Sequence, residues 1–220
     1  MSSVDPVLPP RMLFRFSAPC LYREGLKWSP KGVQLPEEYR LPSFAALDGR
    51  PTFADVRAAW HESGLAVTVR VEGKRQTAWC RDSQMDSSDG LQLWLDTRDT
   101  HNVHRATRFC HRFVFIPFGG GPRREGPAIG QLTINRAREL SRPADPRYMH
   151  VRSEQRVDGY VLETMLLSGA LTGWEPSENP RLGFAYLVAD RELGGQTFSV
   201  GPEFPYQEDP SLWGTLELVR

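Results

Sequence analysis

The chain has 220 residues, 40% of them hydrophobic, with 27 Lys plus Arg balancing 27 Asp plus Glu. A domain of this length buries roughly 70% of its unfolded surface, so it needs no disulfide staples. Its zero net charge excludes a global field that would draw nucleic acid or an anionic membrane.

Residues 1–44 are rich in proline and lack sustained alternation, which predicts an extended arm packed on the folded body. Prolines and an arginine interrupt MSSVDPVLPPRMLFRF where a signal peptide needs an unbroken apolar run, and no later stretch is long enough for a membrane span. Cys20, Cys80 and Cys110 are an odd number without a CxxC pair, which fits a reducing compartment and predicts a soluble, cytoplasmic protein.

From Val56 to Trp60 and Leu65 to Glu72 the sequence reads as a hairpin across the turn HESG. In LAVTVRVE, Leu65, Val67, Val69 and Val71 share one face. Period-two alternation returns in LQLWLD, which sets Leu91, Leu93 and Leu95 opposite Gln92, Trp94 and Asp96, and again from Phe109 to Ile116. Further strands are predicted at Gln131 to Asn135, Met149 to Gln155, Tyr160 to Leu166, Leu182 to Ala189 and Trp213 to Val219, with a tight turn at Asp158-Gly159. No segment keeps a 3.6-residue apolar period, and the glycines and prolines punctuate the strands. The expectation is one all-β domain over residues 45–220, a two-sheet antiparallel β-sandwich of immunoglobulin or jelly-roll type.

The segment SDGLQLWLDTRDTHNVHRATRFCHRFVFIPFGGG looks like a metal site because His101, His104, Cys110 and His111 fall close together. Their spacing matches no zinc pattern, and on a strand Cys110 and His111 point to opposite faces, so no metal site is assigned. The oxygen-rich turn DTRDTHN lacks the ligand spacing of a calcium loop and is taken to join two strands. GGGPRREG (residues 119–126) is followed by neither lysine-serine nor a helix, so it reads first as a connection, with a basic hook that binds phosphate through Arg123 and Arg124 as the alternative. No nucleophile elbow or cysteine signature occurs, so no catalytic residue is assigned. Among the tryptophans, Trp60 and Trp213 are expected in the core. Trp94 is expected on an open or loop-covered face, and Trp79 and Trp174 in polar turns as ligand contacts or loop anchors.

Four segments, VRAAWHESGLAVTVRVEG, SDGLQLWLDTRD, DGYVLETMLLSG with RLGFAYLVAD, and DPSLWGTLELVR, occur in an order that is similar to the family 9 carbohydrate-binding module. The resemblance implies a β-sandwich, a non-catalytic role, a ligand site on one sheet face, and in some members structural calcium but no other cofactor. It also implies two ligand-clamping tryptophans, one just before the D-x-x-E strand and one just before D-P-S. Here those places hold Asp86 or Ser87, and Gln207 with Tyr206 adjacent, while Gln92 replaces the Glu of D-x-x-E. The expected function is small-ligand binding, carbohydrate first, on a face built from Gln92, Trp94 and Arg112, with Trp79 and Tyr206 at the rim and Asp86 and Gln207 beside it. Two alternatives remain: a protein-interaction module using the same face, and a metal- or haem-dependent redox domain resting on Met85, His101, His104 and His111.

Overall fold

A computed structural model describes residues 14–44, 47 and 52–220. Its strands are β1 (Ser17–Tyr22), β2 (Ala54–His61), β3 (Gly64–Val71), β4 (Gly90–Asp96), β5 (Cys110–Gly120), β6 (Gly126–Leu132), β7 (Met149–Arg156), β8 (Gly159–Leu167), β9 (Arg181–Asp190), β10 (Gly194–Thr197) and β11 (Gly214–Val219). The only helical pieces among the described residues are short 3₁₀ turns, and none is long and apolar enough to cross a membrane.

The all-β expectation holds, but the arrangement differs from two antiparallel sheets. Hydrogen bonds link the strands into one mixed sheet in the order β6-β5-β4-β9-β11-β1-β2-β3-β8-β7, with β10 added on β9. The difference arises at β1, which lies inside the segment expected to be an extended arm. Ser17–Tyr22 pairs in parallel with β11, placing Ser17 opposite Thr215, and in parallel with β2 through Leu21 and Tyr22 alone. One strand from the start of the chain thus joins the two halves. At the other side the sheet's ends approach each other, and Ser153 Oγ on β7 donates to the Pro117 carbonyl on β5 at 2.6 Å. The result is a nearly closed, barrel-like wrap.

The alternation read from sequence sets which side chains enter that wrap. Leu91, Leu93 and Leu95 of β4, Phe113 and Phe115 of β5, and Val67, Val69 and Val71 of β3 join one central core, each at most 1% exposed. Burying each such side chain contributes about 1.5–3 kcal/mol. The β2–β3 hairpin turns over two residues, with His61 opposite Gly64. Gly64 has φ +148°, and a Cβ there would meet the Leu166 carbonyl oxygen at 2.1 Å, so the close approach of β8 requires glycine. Asp158 sits in the β7–β8 turn, where Arg156 pairs with Gly159.

Candidate functional site

The outer face of β4 and β5 carries the candidate site. Trp94 stands opposite Arg112 and Gln92 opposite Val114 in the antiparallel register, so Gln92 and Arg112 are diagonal neighbours. Arg112 Nη2 donates to Gln92 Oε1 at 2.8 Å, and Gln92 Nε2 donates to the Asp86 carbonyl at 2.9 Å. Both ends of the Gln92 amide are therefore engaged, and its role is to hold the Arg112 guanidinium and the 82–87 turn in place.

This face is not open. Trp94 is fully buried, Gln92 is 3% exposed and Tyr206 is 1% exposed. The edge of the Tyr206 ring packs on Trp94 at 5.4 Å and 77°, and the Arg112 guanidinium carbon lies 5.3 Å from the Trp94 ring centroid. Ala106, Cys110, Ile134, Ala185, Val200 and Trp213 complete a second small core around the indole. The expected stacking platform is thus covered by loops preceding β5, following β6 and preceding β11, and Tyr206 is a core residue and not a rim. Trp213 Nε1 fixes this cover by donating to the Tyr206 carbonyl at 2.7 Å.

Arg112 is the member of the group that remains partly exposed. Burial lowers its pKa from the ordinary arginine value, opposed by the nearby Asp86 carboxylate and Tyr206 hydroxyl. Its Nε and the Trp94 Nε1 are buried without hydrogen-bond partners among the described residues. Burial also raises the Tyr206 pKa, while a side-chain hydrogen bond with Gln207 and the charge of Arg112 lower it. Asp86 and Gln207 lie exposed at the surface. The structure so brings Gln92, Trp94, Arg112, Asp86, Tyr206 and Gln207 together, with the half-buried Arg112 guanidinium among them.

Trp79 has a different setting. Its ring lies under Arg191, 3.2 Å from the guanidinium carbon, with Arg81 at 5.0 Å, and its backbone N–H donates to Asp89 Oδ2. Trp174 is a loop anchor, donating from Nε1 to the Glu62 carbonyl at 3.0 Å, and Trp60 caps the core by donating to the Val219 carbonyl.

The histidines part company, each with its own partners. His101 Nε2 lies 2.8 Å from Asp99 Oδ1 and 3.1 Å from Thr215 Oγ1, and His104 Nδ1 lies 3.0 Å from Asp209 Oδ2. His111 is fully buried, stacked on Phe113, with a pKa pushed down to about 4 by burial. Cys110 packs in the outer core with Trp94, on the opposite face of β5, as the strand pleat requires. Met85 lies against Gly130. Among the described residues no group of three His, Cys, Asp or Glu side chains is set to hold a metal ion. In the DTRDTHN turn, Asp96 accepts from the backbone N–H groups of Arg98 and Thr100, and Asp99 engages Thr215, His101 and Arg181. The 119–126 stretch closes the β5–β6 hairpin, with Gly119 N donating to the Arg124 carbonyl.

No family model and no curated protein matches the sequence. The fold is that of solved family 9 carbohydrate-binding modules. A module of this family from Caldicellulosiruptor kristjanssonii, solved with cellotriose, is similar with a TM-score of 0.57 and 12% identity, over 93% of this chain and 94% of that one. The same organism's family 9 module with glucose gives a TM-score of 0.58 at 12% identity, over 92% of this chain and 95% of that one. A Bacteroides uniformis protein described as carbohydrate-binding gives 0.53 at 11% identity, over 92% of this chain and 98% of that one. At such identity the likeness is one of fold.

Proposed function

We propose that the protein is a non-catalytic carbohydrate-binding module that takes its ligand at the surface around Arg112. One observation carries this. Asp86, at one of the two places where the resemblance puts a ligand clamp, and Tyr206, next to Gln207 at the other, both lie close enough to the Arg112 guanidinium to act on its charge. An arginine with donors to spare beside a carboxylate and an exposed Gln207 amide offers hydroxyl groups both acceptors and donors. The structural neighbours hold glucose and cellotriose, so glucose-based ligands are the first candidates.

With Trp94 covered, attraction rests on hydrogen bonds and not on ring stacking. Hydrogen bonds add about 1 kcal/mol net each, so a dissociation constant on the order of 1 mM is expected. An NMR titration of ¹⁵N-labelled protein with glucose, cellobiose and cellotriose tests this. Saturable shifts in the Gln92 side-chain amide and the 82–87 backbone, lost in Arg112→Ala, are the expected result. Spectra unmoved by every sugar of a broad panel would remove carbohydrate from the account.

A further inference from the structure

Away from Arg112, three carboxylates converge on one ammonium group. Lys74 Nζ lies 2.5 Å from Asp190 Oδ2, 3.5 Å from Asp89 Oδ2 and 3.9 Å from Glu192 Oε2. The side chains of Lys74, Asp89 and Asp190 are 4%, 2% and 0% exposed, which lysine and aspartate tolerate only when paired. The carboxylates are themselves anchored by backbone N–H groups. Asp89 accepts from Trp79 and Arg191, Asp190 from Glu192 and Leu193, and Glu192 from Arg75 and Gln76. Beside them the Tyr160 hydroxyl is buried without a hydrogen-bond partner among the described residues. Burial and the charges of Asp190 and Asp89 hold its pKa well above the ordinary tyrosine value.

Oxygens brought together from separate segments and braced by backbone donors are what a hard divalent cation requires. The family resemblance allows for structural calcium. The residues here do not fit it, because the ammonium at 2.5 Å from Asp190 already stands where such an ion would contact that carboxylate. A lysine suits this place because its compact charge carries three donors on a flexible stem.

We propose that Lys74 is the built-in cation of a carboxylate cage, joining the 74–79 segment, the approach to β4 and the β9–β10 turn without any bound metal. The cage is independent of the sugar reading, although Asp89 lies only three residues from Gln92. Its two buried carboxylates outnumber the one ammonium, so removing Lys74 leaves buried negative charge that an added calcium ion would offset.

Thermal unfolding in excess EDTA and in millimolar calcium, with terbium luminescence sensitised by Trp79 as a direct binding readout, tests the proposal. The unaltered protein is expected to melt at one temperature in both conditions and to give no terbium signal. Lys74→Met is expected to lower Tm by on the order of 10 °C in EDTA, regain part of it in calcium, and bind terbium. A calcium-dependent Tm or terbium binding in the unaltered protein would overturn the proposal. So would a Lys74→Met protein with unchanged Tm, or one that melts low yet ignores calcium. Should that variant not fold, the EDTA and terbium arms on the unaltered chain still decide, and Lys74→Arg must retain metal-insensitive melting.

Discussion

Replacing Trp94 distinguishes a core residue from a ligand platform. The indole is fully buried, its edge contact is the Tyr206 ring, and the guanidinium of Arg112 lies against it. A tryptophan buries about 200 Å² of mostly apolar surface, an upper bound of about 5 kcal/mol at 25 cal/mol per Å². Truncations of this kind cost about 3–5 kcal/mol, so Trp94→Ala is expected to lower Tm by roughly 6–20 °C. Trp94→Phe behaves differently. It forfeits about 1 kcal/mol of burial, and it also removes the partnerless Nε1 donor, whose burial costs about 1–3 kcal/mol. The phenylalanine protein should therefore unfold within about 1 kcal/mol of the parent. Urea denaturation with unchanged m-values measures both. An alanine variant as stable as the parent would refute the buried placement of this ring.

Other residues give sharper local tests. The His111 pKa falls from 6.5 to about 4 in the folded state, so the unfolded chain binds the extra proton. Stability from this group is complete above about pH 6.5 and is lost as pH falls toward 4, by roughly 3 kcal/mol, and the slope should vanish in His111→Phe denaturation curves. Gly90 has φ +147° and its Cβ would meet the Phe115 carbonyl oxygen at 2.2 Å, so Gly90→Ala should cost about 2 kcal/mol or more in urea unfolding. Gly121→Ala, at φ +75° with nothing within 4 Å, should cost only about 1 kcal/mol. Gln92→Leu strands an Arg112 donor and the Asp86 carbonyl, so a loss of about 2 kcal/mol in the same assay is expected.

The strands that alternate cleanly were legible. β3, β4, β7, β8 and β9 lie within two residues of their predicted bounds, because the apolar residues that face the central core recur at every second position. β1 was not, since SAPCLY buries only the small Ala18 and Cys20 and carries a proline, leaving no apolar rhythm to detect. β6 begins at Gly126, five residues before its prediction. GPAIGQL is half-buried throughout and its glycines and proline read as turn. GGQT in β10 is hidden for the same compositional reason. At the site, the sharing of one strand face by Gln92, Trp94 and Arg112 followed from the pleat, but their burial did not. The covering residues Val200, Tyr206 and Trp213 come from a loop about a hundred positions away, and no local pattern announces such a contact. The Lys74 cage was invisible for that reason too, its partners lying 15 and 116 positions distant.

The most direct test of the central claim is a crystal structure of the protein grown with cellotriose or glucose. The sugar is expected against the Arg112 guanidinium, with hydroxyl groups within hydrogen-bond distance of Arg112 and of Asp86 or Gln207, and with Trp94 still beneath Tyr206. A sugar ring stacked on Trp79, or bound on any surface that leaves Arg112 untouched, would contradict the account.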